Sequence, residues 1–136
     1  GAGALLMSVA CRHHEPPRPV VSAEFGVFFG GQVQERQQIP LIVDHTHQLL
    51  GFRLRFPAPL SRPMALSWEV DRPAPKAARN AAQRAVQLFE GTVPVGSTQF
   101  DQRLDFAPGD PLGTWNIRVR VDGEIVIDRP FLVTPP

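Results

Sequence analysis

A chain of 136 residues, 43% hydrophobic and 20% charged, is long enough for one domain with an ordinary core and too apolar for general disorder. Its formal net charge of +1 gives no overall attraction to nucleic acid or anionic lipid. A single cysteine, Cys11, excludes an internal disulfide and a cysteine-based zinc site.

The chain opens with "GAGALLMSVA", ten residues without a charge, directly before Cys11. Ten residues are too few to cross a bilayer, which takes about 20. The small residues before the cysteine fit the tail of an export signal. "SVAC" resembles a bacterial lipobox, with Ser8 where leucine is usual, and lipidation would fall on Cys11. A retained membrane anchor is the second reading of residues 1–11, and a processing remnant the third. Residues 12–20, "RHHEPPRPV", read as an extended Pro-rich linker, because proline favours polyproline II and cannot continue a helix. Residues 21–136 read as a single domain.

Within that domain, strand patterns recur. "VVSAEFGVFF" sets Phe25, Val27 and Phe29 on one face, with Phe28 against the alternation. "QQIPLIV" contains Pro40 and reads as an edge or irregular strand. "QLLGFRLRF" alternates Leu50, Phe52, Leu54 and Phe56 against Arg53 and Arg55. "MALSWEV" places Leu66, Trp68 and Val70 together, and "TQFDQRLDF" sets Phe100, Leu104 and Phe106 against Asp101, Arg103 and Asp105. A period of two with polar residues opposite means sheets with one buried face. Residues 76–87 are rich in Ala, Arg and Gln and read as one short helix or a long exposed loop. In "GTWNIRVRVDGEIVIDRPFLVTPP", Trp115, Ile117, Val119 and Val121 face the core and Asn116, Arg118 and Arg120 face out. Asp122–Gly123 predicts a type I′ hairpin turn, which needs positive φ at both central positions. The return strand carries Ile125, Ile127, Phe131 and Val133, with a bulge or exit expected at Arg129–Pro130. About seven to nine short strands predict an all-β, antiparallel β-sandwich of immunoglobulin-like shape, with a small barrel as the alternative.

"AEFGVF", "GFRLRF" and "APGDPLGTWNIRVRVDGEIVIDRPFLV", in that order, resemble the bacterial domain of unknown function 3859 over roughly Ser22 to Val133. Members of that family typically follow an export signal. The resemblance implies export and carries over no activity and no catalytic or ligand residue. Residues 74–87 depart from the Pro- and Gly-containing loop that the resemblance leads one to expect there.

Three side-chain sets could carry chemistry. In "DHTH", His45 and His47 would share one side of a strand and could share a metal, though a closed zinc site normally takes four ligands. Asp101 and Asp105 flank Arg103 with neighbours about 6.6–6.8 Å apart, which reads as a solvated charge ladder. Arg53, Arg55, Arg118 and Arg120 would form one cationic interaction face if their two strands share a sheet. Ser67 and Ser97 lack a G-x-S-x-G elbow, and "FGVFFGG" lacks the Lys-Ser/Thr end of a phosphate loop. The sequence therefore predicts a non-enzymatic, membrane-tethered envelope protein with no cofactor. It would lie on the periplasmic or cell-surface side, reach the membrane through its N-terminus, bind no nucleic acid and work by protein–protein contacts. An accessory or stabilising subunit of a larger membrane complex is the leading role. A small-ligand or metal-binding module using His45 and His47 or the arginine face is the alternative.

Overall fold

The computed structural model describes residues 21–75 and 83–136. Nine strands, and no helix, are present among these residues: β1 (Ser22–Phe29), β2 (Gln32–Gln34), β3 (Gln38–Pro40), β4 (Leu50–Arg55), β5 (Met64–Pro73), β6 (Arg84–Val93), β7 (Gln99–Leu104), β8 (Gly113–Val121) and β9 (Glu124–Thr134). They form a four-stranded sheet in the order β2-β1-β4-β7 and a five-stranded sheet in the order β3-β9-β8-β5-β6. The two face each other as an immunoglobulin-like β-sandwich. The expected N-terminal segments, 1–11 and 12–20, lie outside the described residues.

Alternation places the core. Leu50, Phe52 and Leu54 of β4, Leu66, Trp68 and Val70 of β5, and Trp115, Ile117, Val119 and Val121 of β8 all point between the sheets and are buried. Phe52 meets Trp68 edge-on across the sandwich at 5.7 Å between ring centroids, and Phe25 meets Phe131 at 4.9 Å. Trp115 packs on Phe131 and edge-on to Phe106, and its indole N–H donates to the Pro111 carbonyl at 2.9 Å. Such aromatic pairs each add about 0.5–1.5 kcal/mol beyond the area they bury.

The Asp122–Gly123 turn has φ of 49° and 82°, as a type I′ hairpin needs. Asp122 also ties the hairpin to the start of β5: the Ala65 backbone N–H donates to its Oδ1 at 2.9 Å.

Several expectations are corrected. β3 pairs with β9 in parallel, because the chain leaves the first sheet after β2 and joins the second alongside its last strand. The proposed helix at 76–87 is replaced over residues 84–87 by the start of β6, whose ladder with β5 outweighs the helix propensity of Ala and Arg; residues 76–82 lie outside the described residues. The irregularity in the last hairpin sits at Val119/Arg120 rather than at Arg129–Pro130, and β9 runs on through Pro130. That shift turns Ile125 out to solvent, while Ile127 stays buried. Phe29, assigned to the core, is exposed at its strand end.

Phe28 has a use on the outer face. Gly26 and Gly51 lie opposite each other on β1 and β4, and their neighbours press in. A Cβ at Gly51 would come 2.1 Å from the Gln102 carbonyl oxygen and 2.8 Å from the Phe28 ring. The ring thus covers a position that has no side chain of its own. Gly51→Ala is expected to lower the unfolding free energy by about 2 kcal/mol or more. Urea titration reads this as an earlier midpoint, and an unchanged midpoint would show that the strands are not held that close.

Candidate functional site: an open sheet edge and the cleft beside it

Two sheets present four edges, and unpaired edge backbone is a template for another strand. β2 and β3 are three residues long, and β3 ends in Pro40. β7 carries Gln99, Asp101 and Arg103 on its outward face, so both charge signs guard it. β6 is neither short nor broken by proline, and its two charges, Arg84 and Glu90, stand at either end of an uncharged segment. It runs ten residues, Arg84–Val93, in unbroken register with β5 and contains no proline or lysine. On its outer face stand Arg84, Val86, Leu88, Glu90 and Thr92, and Val86 and Leu88 are 58% and 61% exposed. Glu90 has no ion pair or hydrogen bond among the described residues, whereas Arg84 reaches Asp71 at 3.0 Å and the Thr114 carbonyl at 2.8 Å.

The inner face of β6 borders a cleft. Phe89 stacks on Trp68 at 5.5 Å and 14° between ring planes, yet stays 40% exposed. Beyond it the sheets part into a cleft of about 300 Å³, floored by Leu50, Trp68, Val70 and Trp115 and rimmed by Gln87 and Arg103. Trp68 Nε1 is buried without a hydrogen-bond partner among the described residues. The open side of the sandwich thus combines a bare strand edge with an apolar hollow.

The arginines do not form one face. Arg53 and Arg55 stand on β4 and Arg118 and Arg120 on β8, which belong to different sheets, so the two pairs sit on opposite outer faces of the sandwich. Each is also matched by acids. Arg53 forks onto Asp101 with bonds of 2.8 and 3.0 Å, donates to the Gly31 carbonyl at 2.7 Å and lies over the Phe28 ring. Arg55 lies 3.6 Å from Glu24. Arg120 meets Glu69 at 2.6 Å, and Arg118 meets Asp128 at 3.2 Å. Asp128 is held below the usual carboxylate range chiefly by the Asn116 side-chain amide, with Arg118 adding to it. These are neutralised sheet faces.

His45 and His47 are not on a strand. The segment from Asp44 to His47 is a turn in which Asp44 Oδ1 accepts from the Thr46 backbone N–H at 2.8 Å and from its hydroxyl at 2.7 Å. His47 Nδ1 lies 2.9 Å from Asp44 Oδ2. The Asx-type turn therefore removes the period-two geometry that would align the two imidazoles. Among the described residues no group of three or more His, Cys, Asp or Glu is placed to hold a metal. Cys11, the expected lipidation position, lies outside the described residues.

The β6 edge was not singled out in the sequence. Its signal there is the pair Val86 and Leu88, outward positions of period two at the end of the Ala- and Arg-rich stretch.

In solved structures the fold is similar to an immunoglobulin-like protein of Pseudomonas aeruginosa, 19% identical, with a TM-score of 0.54, covering 85% of this chain and 97% of that one. A looser similarity is to an alkylpurine DNA glycosylase of Pseudomonas fluorescens bound to DNA containing an abasic-site analogue. It is 17% identical with a TM-score of 0.44 and covers 83% of this chain and 30% of that one. No family model matches the chain, and no curated protein matches it in sequence.

Asp44 supplies a direct check on the turn. The Thr46 hydroxyl and backbone N–H, and then His47, lower its pKa from 3.8 to about 2. A depressed carboxylate contributes stability that is present above its ordinary pKa and lost as pH falls through the folded value, so this turn should hold down to about pH 2. Carboxyl NMR titration should give that midpoint, and Thr46→Val should raise it. An ordinary midpoint in the wild type would contradict the hydrogen-bonded turn.

Proposed function

We propose that this chain is a non-enzymatic, membrane-tethered envelope protein that acts through protein–protein contacts, as an accessory or stabilising subunit of a larger membrane complex. The observation that carries this reading is the β6 edge: ten residues of strand without proline, with exposed Val86 and Leu88 between its two charges. Strand addition at such an edge gains main-chain hydrogen bonds and buries alternate side chains, a recurring mode of protein recognition. The immunoglobulin-like framework supports the reading, since it presents such edges on a rigid core.

The tether rests on sequence. The apolar residues 1–10, the lipobox-like "SVAC" ending at Cys11 and the Pro-rich residues 12–20 fit an exported protein held at the periplasmic or cell-surface side. The resemblance to domain of unknown function 3859 belongs to the same proposal and rests on its ordered motifs. The ligand-binding alternative has less support, because His45 and His47 sit in an exposed turn and the arginines are matched by acids.

Membrane fractionation of the full-length chain, followed by mild detergent extraction, should yield a species larger than a monomer. Leu88→Lys should release it as a monomer that stays with the membrane. Wild type recovered as a soluble monomer would overturn the reading.

A further inference from the structure

We propose that β6 pairs with β6 of a second copy of this chain, antiparallel about a two-fold axis at Gln87, joining two five-stranded sheets into one. The inference rests on the reading that β6 is the contact edge, and it names the occupant.

In an antiparallel pair, directly opposed residues lie on the same face of the sheet. A two-fold pairing of β6 must therefore set outer residues against outer residues. β6 has two charged residues, Arg84 and Glu90, both on the outer face and of opposite sign. One two-fold register brings them together: Arg84 against the partner's Glu90, and Glu90 against the partner's Arg84. The same register sets Val86 against the partner's Leu88 and Leu88 against the partner's Val86, covering the two most exposed apolar side chains of the strand. On the inner face it sets small Ala85 against large Phe89, and Gln87 against itself. Moving the axis by one residue, to Val86 or to Leu88, breaks both charge pairs and sets Arg84 against Leu88 or Thr92. Glu90, which has no partner within the described residues, gains one. Arg84 lies across β5 onto Asp71 and the Thr114 carbonyl, and on pairing its guanidinium would swing outward to the partner's Glu90. Nothing in β6 opposes the approach: the strand has no proline and no bulge in its ladder with β5.

The register dictates the test, made on the full chain by sedimentation velocity across a dilution series. Wild type should be a dimer that dissociates on dilution. Glu90→Arg sets two arginines against each other twice per dimer, and Arg84→Glu does the same with two glutamates. Each variant alone should weaken the dimer by about tenfold or more. An equimolar mixture of the two restores opposite charges at both positions and should recover the wild-type dimer. Oxidation of single-cysteine variants in a Cys11→Ser background reads the register independently of any charge change. Opposed Cα atoms lie about 4.5–5.5 Å apart, within disulfide reach. Gln87→Cys should therefore cross-link to its own copy and Thr92→Cys should not. A wild type that stays monomeric at all concentrations overturns the proposal. So does a mixture no tighter than its components, or cross-linking of Thr92→Cys as efficient as that of Gln87→Cys. A larger complex that Leu88→Lys dissolves, without cross-linking through Gln87→Cys, overturns self-pairing while leaving the contact role of β6 standing.

Discussion

Trp68 makes contacts in two directions, and the rest of the molecule is arranged around them. Edge-on it meets Phe52 and so joins the two sheets; face-on it stacks with Phe89 and so carries the core out to the last strand of its own sheet. The first contact belongs to a continuous layer that includes Phe25, Leu54, Ile117 and Val119, all fully buried. The second contact is only half covered. Closing two twisted sheets of unequal width over one core leaves the wider sheet with a margin, and here that margin is β6. The cleft beside it follows from the same mismatch.

A margin of this kind is a hazard as well as an opportunity. Elsewhere the molecule limits its edges with very short strands, with Pro40 and with the charges of β7. The outer faces are likewise neutralised, with Arg53 forked onto Asp101 and Arg120 set against Glu69. On β6 alone among the strands described do length, exposed Val86 and Leu88, and an unmatched Glu90 occur together. A strand left bare for use needs these features, and a strand hidden from other chains would avoid them. The opposite charges at either end of its exposed segment then favour one alignment over its neighbours, giving the edge specificity in addition to apolar area.

Much of the fold could be read from the chain because its information was local. The alternation at Leu50–Phe56 and Trp115–Val121 assigned the buried faces of β4 and β8. Asp122–Gly123 fixed the last turn through a backbone conformation that few other pairs accept. What could not be read depends on which strands become neighbours. Alternation shows that Arg53 and Arg118 point outward, but strand order alone decides that they lie on different sheets. Phe28 and Phe29 look interchangeable in the sequence. Phe28 covers the gap over Gly51, while Phe29 runs out at the strand end. Ile125 lost its core position to a bulge in its own strand, where Val119 and Arg120 pair with Ile127 and Ile125 and pass over Val126. The start of β6 read as a short helix or an exposed loop, because Ala, Arg and Gln favour helix in isolation. Pairing with Asp71–Pro73 of β5 prevailed. The candidate site was hidden for the same reason, since an edge is a property of topology and no residue pattern states it.

Amide hydrogen exchange tests most directly whether the free edge of β6 is occupied in the working protein. In the purified full-length chain, the β6 amides that point away from β5 should be protected at high protein concentration and lose that protection on dilution, while the amides bonded to β5 stay slow throughout. Outward amides of Arg84–Glu90 that exchange at the same fast rate at every concentration would contradict the account.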